Sequence, residues 1–243
     1  VEEAKKLGEV VFFTRSGYSF SQRYSTLMWN GDQMVDWSID DGLPSVIPAS
    51  LSLGLSGFGI SHSDIGGYTT FDNQLGKIIR SKELFMRWTE LATFTPVMRT
   101  HEGNRPEINC QFDCDDEAIE HLATMVTIHV NLKPYLKQLN KENSESGIPF
   151  MRSLYTHYPS DDTKDIQYEF LLGRDLLISP VIKPDEENHE VFLPDDDWIY
   201  LWEETEYKGG IYSIASPIGK PPVFIRKRSP YKALLLKIKE VNK

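Results

Sequence analysis

Apolar residues in the first part of the chain fall into short runs that end on polar residues, each followed by a segment of helical spacing. Residues 9–15, Glu-Val-Val-Phe-Phe-Thr-Arg, form a nearly continuous apolar run. Such a run predicts a strand buried on both faces, with Arg15 at its C-terminal end. Residues 25–29 form a second run that ends at Asn30-Gly31-Asp32, and apolar positions at helical spacing follow over residues 43–54. A third run, residues 57–61, leads into His62-Ser63-Asp64 and the Gly66-Gly67 pair. A helix over residues 81–94 follows, with Leu84, Phe85, Trp88 and Leu91 on one face. The fourth run, residues 95–100, ends at His101-Glu102. Residues 115–129 then read as a helix opened by acidic side chains, and Pro134 divides it from a further helix through Asn140. Val1 to Gly8 reads as the end of a helix closed by a glycine.

Four strand–loop–helix units predict an α/β fold, read here as the C-terminal half (strands 5 to 8) of a (β/α)8 TIM barrel over residues 1–146. A complete barrel of this kind has eight units in about 250 residues. The first half is therefore expected as a missing N-terminal part of the same polypeptide, ahead of Val1. From residue 147 the pattern changes to short β-rich pieces separated by turn residues: 169–173, 176–182, 190–193, 198–202 and 222–225. They predict an antiparallel β-sandwich domain over residues 147–243, with the boundary in the polar stretch Asn140 to Gly147.

The formal net charge of -10 disfavours nucleic acid and anionic membrane surfaces and points to a small or neutral partner. No apolar run approaches the roughly 18 residues needed to span a bilayer. Cys110 and Cys114, the two cysteines, are too few for a disulfide scaffold or a four-cysteine zinc site. A reducing, cytoplasmic setting is weakly favoured, and neither a metal nor another cofactor is called for.

The predicted strand ends gather Arg15, Trp29, Asp32, Asp64, Tyr68, Arg99 and His101 at one rim, where a parallel barrel builds its active site. Each also has an ordinary structural reading. An Asp after Asn-Gly suits a turn, Arg15 suits an ion pair, Trp29 a core position, and His101 a loop histidine satisfied by backbone. The alternative readings are functional: Trp29 offers a flat apolar wall suited to a sugar ring, Arg15 could clamp sugar hydroxyls, His101 could hydrogen-bond a substrate hydroxyl, and Asp32 is a candidate for proton transfer. A metal-dependent barrel hydrolase built on His62, Asp64, His101 and Glu102 is an alternative, although these residues lack a close His-x-His pair.

Five blocks occur in an order that resembles glycoside hydrolase family 31: Phe13-Thr14-Arg15-Ser16-Gly17, Gln22-Arg23-Tyr24, Trp29-Asn30-Gly31-Asp32, Ser63-Asp64-Ile65-Gly66-Gly67-Tyr68, and residues 99–106, Arg-Thr-His-Glu-Gly-Asn-Arg-Pro. Residues 170–181 and Phe192-Leu193-Pro194, followed by Trp198, Trp202 and Pro222-Val223-Phe224, are similar to the C-terminal domain of that family. The resemblance implies a retaining α-glycosidase acting on a small-molecule glycoside. Asp32 would be the general acid/base, and Arg15, Trp29, Asp64, Tyr68 and His101 would bind substrate. It also implies a nucleophilic aspartate at the fourth barrel strand, upstream of this chain, so these residues alone would be inactive. Tyr68 and the Glu102-to-Pro106 segment look more like the sulfoquinovosidase branch than the α-glucosidases. A non-catalytic sugar-binding homologue is the remaining alternative.

Overall fold

The computed structural model describes residues 6, 8, 10–74 and 76–240, so the helix end expected over residues 1–8 lies for the most part outside the described residues. Strands β1 (Phe13–Thr14), β2 (Leu27–Trp29) and β3 (Ser61–His62) form a parallel sheet in that order, with Phe13 opposite Leu27 and Met28 opposite Ser61. The fourth predicted strand joins only at its end, through a parallel bridge between Thr100 and Ile65. The first strand departs from expectation. Val11 is 71% and Phe13 46% exposed, because β1 is an edge of the described sheet and has β2 as its sole neighbour there.

The predicted helices form where their caps place them. A 3-10 turn, Leu43–Ser45, carries Pro44 in its first turn and leads into α1 (Val46–Leu55). A hairpin of β4 (Phe71–Asn73) and β5 (Gly76–Ile78) precedes α2 (Lys82–Thr93), which begins where Ser81 Oγ accepts the Leu84 N–H at 3.1 Å. Helix α3 (Asp116–Asn131) starts at Asp115, whose carboxylate accepts the Ala118 N–H at 2.9 Å, and the acidic first turn complements the helix dipole. Leu132 separates it from α4 (Lys133–Ser146), which carries Pro134 in its first turn. The helix expected through Asn140 runs on to Ser146, across the polar stretch in which the boundary is expected. That stretch contains no helix breaker before Gly147, whose φ of 75° ends the element, while Tyr135 and Leu139 anchor the helix in the core.

The C-terminal part is a six-stranded sheet in the order β10-β9-β11-β8-β7-β6, antiparallel throughout. Its strands are β6 (Met151–Arg152), β7 (Phe170–Leu172), β8 (Leu176–Ile178), β9 (Asn188–Tyr200), β10 (Glu206–Ala215) and β11 (Val223–Arg226). Side chains alternate between two apolar clusters with the two-residue period of a strand. Leu172, Leu176, Ile178, Ile199, Val223 and Ile225 face the same core as Leu43, Trp88 and Met125. Leu171, Leu177, Trp198, Tyr200 and Phe224 face the other side. Both faces are covered, which is why these strands read as unbroken apolar runs. One core therefore continues from the barrel helices into the sheet.

Two pieces predicted separately, residues 190–193 and 198–202, belong largely to the single strand β9. It absorbs Pro194 where the pairing with β10 shifts between Lys208 and Gly210. Gly209 is required there, since a Cβ would come within 2.8 Å of Asp195 Cα. Strand β10, an edge of the sheet that packs Tyr207, Tyr212 and Ile214 against the second cluster, was not among the predicted pieces, because its adjacent glycines interrupt the apolar alternation. Cys110 and Cys114 are joined in a disulfide, a pairing the sequence reading did not assign. No helix among the described residues is long and apolar enough to cross a membrane.

Candidate active site at the strand ends

Residues at the ends of β1, β2 and β3, and of the bridged segment after α2, meet at one rim. Arg15, just beyond β1, reaches Asp32 with Nη1 3.3 Å from Oδ2, and its guanidinium lies 5.5 Å from the centre of the Trp29 ring. The Arg99 guanidinium also lies 5.5 Å from the centre of that indole and contacts the Phe13 ring as well. Trp29 therefore has two cations against its ring at the end of β2, an arrangement favoured by the negative face of the indole.

Arg99 is held by two buried partners. One guanidinium nitrogen pairs with Asp64, which has no exposed surface, and Nε donates to His62 Nε2 at 2.9 Å. Accepting that bond requires His62 to be neutral with its proton on Nδ1. Burial and the Arg99 charge lower the His62 pKa to about 4, in agreement with that state. Burial is also the largest influence on Asp64 and raises its pKa, opposed by Arg99, His101 and the Trp29 indole.

The loop after Asp32 is joined to the loop carrying Tyr68. The N–H groups of Tyr68 and Thr69 donate to Gln33 O at 2.9 and 2.8 Å, and Thr69 Oγ1 donates to Asp32 O at 2.8 Å. Gly67 has φ 75°, and a Cβ there would lie 2.8 Å from Met34 O, so this close approach demands glycine. The rings of Tyr68 and His101 meet edge to face with centroids 5.0 Å apart. His101 Nδ1 accepts the Gly103 N–H at 3.0 Å, which leaves Nε2 of the neutral ring as a donor.

All six sequence-derived positions, Arg15, Trp29, Asp32, Asp64, Tyr68 and His101, thus lie in one contact network of loops at this rim. Asp32 and Arg15 form its exposed side and Asp64 its floor. A cleft of about 790 Å³ opens beside Arg15 and Trp29 and is walled by Tyr18, Phe20 and Phe58. The metal-site alternative gains no geometric support. His62 Nε2 is occupied by Arg99, Glu102 is exposed, and no three His, Cys, Asp or Glu side chains among the described residues are placed to share an ion. Sequence reasoning did not single out Arg80, a buried cation behind the Tyr68 loop. Its one trace in the sequence is a charged residue between the apolar Ile78-Ile79 and the helix-capping Ser81.

Residues 1–139 match the model of the glycosyl hydrolases family 31 TIM-barrel domain, and residues 147–229 match that of the glycosyl hydrolase family 31 C-terminal domain. The chain belongs to glycosyl hydrolase family 31. Among curated relatives, the "Sulfoquinovosidase" of Escherichia coli (strain K12) is 51% identical over 242 residues, a match covering 99% of this chain and 35% of that protein. The "Sulfoquinovosidase" of Agrobacterium fabrum is 44% identical over 246 residues, covering 100% of this chain and 36% of that protein. A solved structure of a family 31 sulfoquinovosidase from E. rectale, in complex with the aza-sugar inhibitor IFGSQ, superposes with a TM-score of 0.93 at 48% identity. It covers 98% of this chain and 35% of the other. This family 31 chain therefore spans just over a third of the length of the relatives it matches. The fold is accordingly the C-terminal portion of the barrel followed by the β domain.

Proposed function

We propose that the protein containing this chain is a retaining, exo-acting α-glycosidase that prefers terminal sulfoquinovosides to plain α-glucosides. Asp32 is the general acid/base. In the first step a carboxylate supplied by the part of the barrel outside these 243 residues attacks the anomeric carbon. Asp32 meanwhile gives its proton to the departing glycosidic oxygen. In the second step Asp32, now a carboxylate opposite Arg15, takes a proton from the water that displaces the sugar from the enzyme. Two such carboxyl groups work about 5 to 5.5 Å apart.

In this reading Trp29 forms the wall of the sugar pocket, Arg15 and the Nε2–H of His101 bind ring hydroxyls, and Asp64 orders the pocket floor through Arg99. Tyr68 directs its hydroxyl at the sulfonate, directly or through water. The division of the chain is read as residues 1–146 for the barrel portion and 147–243 for the β domain, supported by the end of α4 at Ser146. The observation that carries the proposal is the convergence of Asp32, Arg15, Trp29, Tyr68 and His101 at one barrel rim, in a chain about half identical to a curated sulfoquinovosidase.

The test is Asp32→Asn in the full-length protein. Hydrolysis of an alkyl α-sulfoquinovoside is expected to fall by roughly a thousandfold, whereas an aryl glycoside whose leaving group needs little protonation loses less in its first step. Unchanged turnover of the alkyl substrate would remove Asp32 from the mechanism.

A further inference from the structure

Arg80 is 1% exposed, and among the described residues no carboxylate is one of its hydrogen-bond partners. Its guanidinium is satisfied almost wholly by backbone. Nη1 donates to His101 O at 2.9 Å and to Ile65 O and Gly67 O at 3.3 Å each. Nη2 donates to Glu102 O at 3.2 Å and to Gln111 Oε1 at 2.8 Å, and Nε to Cys110 O at 2.8 Å. Burial lowers its pKa to about 10, so the group stays charged at neutral pH. A planar fork of donors is the one side chain able to reach carbonyls of two separate loops at once.

Those loops carry Tyr68 and His101, and other residues join them on the same side. Asn104 donates its N–H to Tyr68 O at 3.1 Å, while its side chain exchanges two hydrogen bonds with the backbone of Thr70, at 2.8 and 3.2 Å. Asn109 Oδ1 accepts from both Thr70 Oγ1 at 2.8 Å and Arg80 N–H at 3.1 Å. Gly66 leaves room for the guanidinium stem, and a Cβ at that position would run into it. Isolating a cation from water is costly unless its hydrogen bonds are all made. An apolar side chain would fill the volume but withdraw these donors from five converging carbonyls, of which Glu102 O keeps a second partner in Gln111 Nε2 at 2.9 Å.

We infer that Arg80 is a positioning residue: it couples the loop carrying Tyr68 to the loop carrying His101, fixing their edge-to-face pair and with it the discrimination between sulfonated and unsulfonated sugars. Arg80 touches no substrate in this arrangement and acts through Tyr68. The assignment rests on the proposed sulfoquinovosidase reading for its substrate, though not for its structural part.

The experiment compares Arg80→Lys, Asn104→Ala and Tyr68→Phe in the full-length protein, with two readouts. The first is the ratio of kcat/KM for an alkyl α-sulfoquinovoside to that for the corresponding alkyl α-glucoside. Tyr68→Phe is expected to lower this ratio about tenfold, the worth of one hydrogen bond to a charged group. Arg80→Lys should lower it by a similar factor, mostly through a higher KM for the sulfonate, with little further loss when combined with Tyr68→Phe. Asn104→Ala should lower it about threefold and leaves the buried cation in place, so it carries the test if Arg80→Lys does not fold. The second readout is backbone hydrogen exchange, which should quicken at Gly67 and Asn104 in both staple variants while the β-domain amides keep their rates.

If Tyr68→Phe shifts the ratio but neither staple variant does, Arg80 has no positioning role in specificity. Unchanged exchange at Gly67 and Asn104 would overturn the coupling whatever the substrate. If Tyr68→Phe leaves the ratio unaltered, the sulfonate reading fails instead, and exchange alone decides whether the loops are coupled.

Discussion

The barrel portion and the six-stranded sheet are built from similar apolar runs but spend them differently. In the sheet, Leu171, Leu177 and Phe224 bury one face while Leu172, Ile178 and Ile225 bury the other, so the strands β7, β8 and β11 are committed to packing. In the barrel portion, β1, β2 and β3 are only two or three residues long, and the chain beyond each strand leaves packing for polar contact. There Arg99, Asp64, His62 and Arg80 form a polar layer under the rim, held by directed hydrogen bonds. A surface that must bind and react has its side chains set by hydrogen-bond geometry. A supporting sheet has them set by volume.

The contrast is testable by perturbing the two regions in turn, here in the full-length protein. The largest effect belongs to the sheet: Trp198→Ala, at a residue with no exposed surface, should cost about 4 kcal/mol of stability in denaturant titration. It should leave the preference among substrates unchanged in the protein that remains folded. An altered preference would mean that the sheet is not merely a support.

The pH dependence of stability should have opposite signs in the two regions. His62 takes up its proton near 4 when folded but near 6.5 when unfolded, so between those values the unfolded chain binds more protons. Its contribution is complete above pH 6.5 and is lost as pH falls towards 4, up to about 3 kcal/mol. Glu169, buried in the β domain, has its pKa raised to about 8 by that burial, so the folded chain holds the proton longer. Its contribution is present below about pH 4.5 and is lost as pH rises through 8. Denaturation midpoints measured from pH 4 to 8 should therefore flatten on the acid side in His62→Gln and on the alkaline side in Glu169→Gln. The same slope in both variants would erase the distinction.

A smaller effect is expected of Arg15→Gln, and on activity alone. The Arg15–Asp32 pair is exposed, with 61% of the arginine side chain accessible, so its removal should change stability by less than about 1 kcal/mol. Hydrolysis should fall about thirtyfold, since a charged hydrogen bond to substrate or to Asp32 is lost. Smallest is Ser81→Ala, which removes the cap of α2 and should cost about 1 kcal/mol, measured as a lower melting temperature. Because α2 opens directly after Arg80, this variant also shows whether fraying there reaches the Tyr68 loop.

Much of the barrel portion was legible along the chain because its signals are local. Ser81 and Asp115 mark helix starts by hydrogen bonds made within three residues. The last turns of α4, residues 141–146, went unread because a polar composition does not distinguish a solvated helix from a loop. Strand β10 was missed because Gly209 and Gly210 interrupt the alternation that places Tyr207, Tyr212 and Ile214 on its packed side. The six candidate site residues were legible through their place at the ends of successive runs and through their ordered motifs. His62 and Arg80 lay outside that set because their roles depend on partners 37 and 13 to 31 positions away.

The sequence by itself thus determined which segments become helices and the parallel strands β1 to β3, where α2 and α3 begin, and which family the ordered blocks belong to. Those properties follow from side-chain periodicity and from capping bonds between near neighbours. Only the tertiary structure decided that the barrel helices and the β sheet share one core, and that Arg15 and Arg99 both lie against the Trp29 ring. It alone showed that one buried arginine gathers the carbonyls of two loops. These arrangements depend on directional contacts between residues far apart in the chain, which no local pattern encodes.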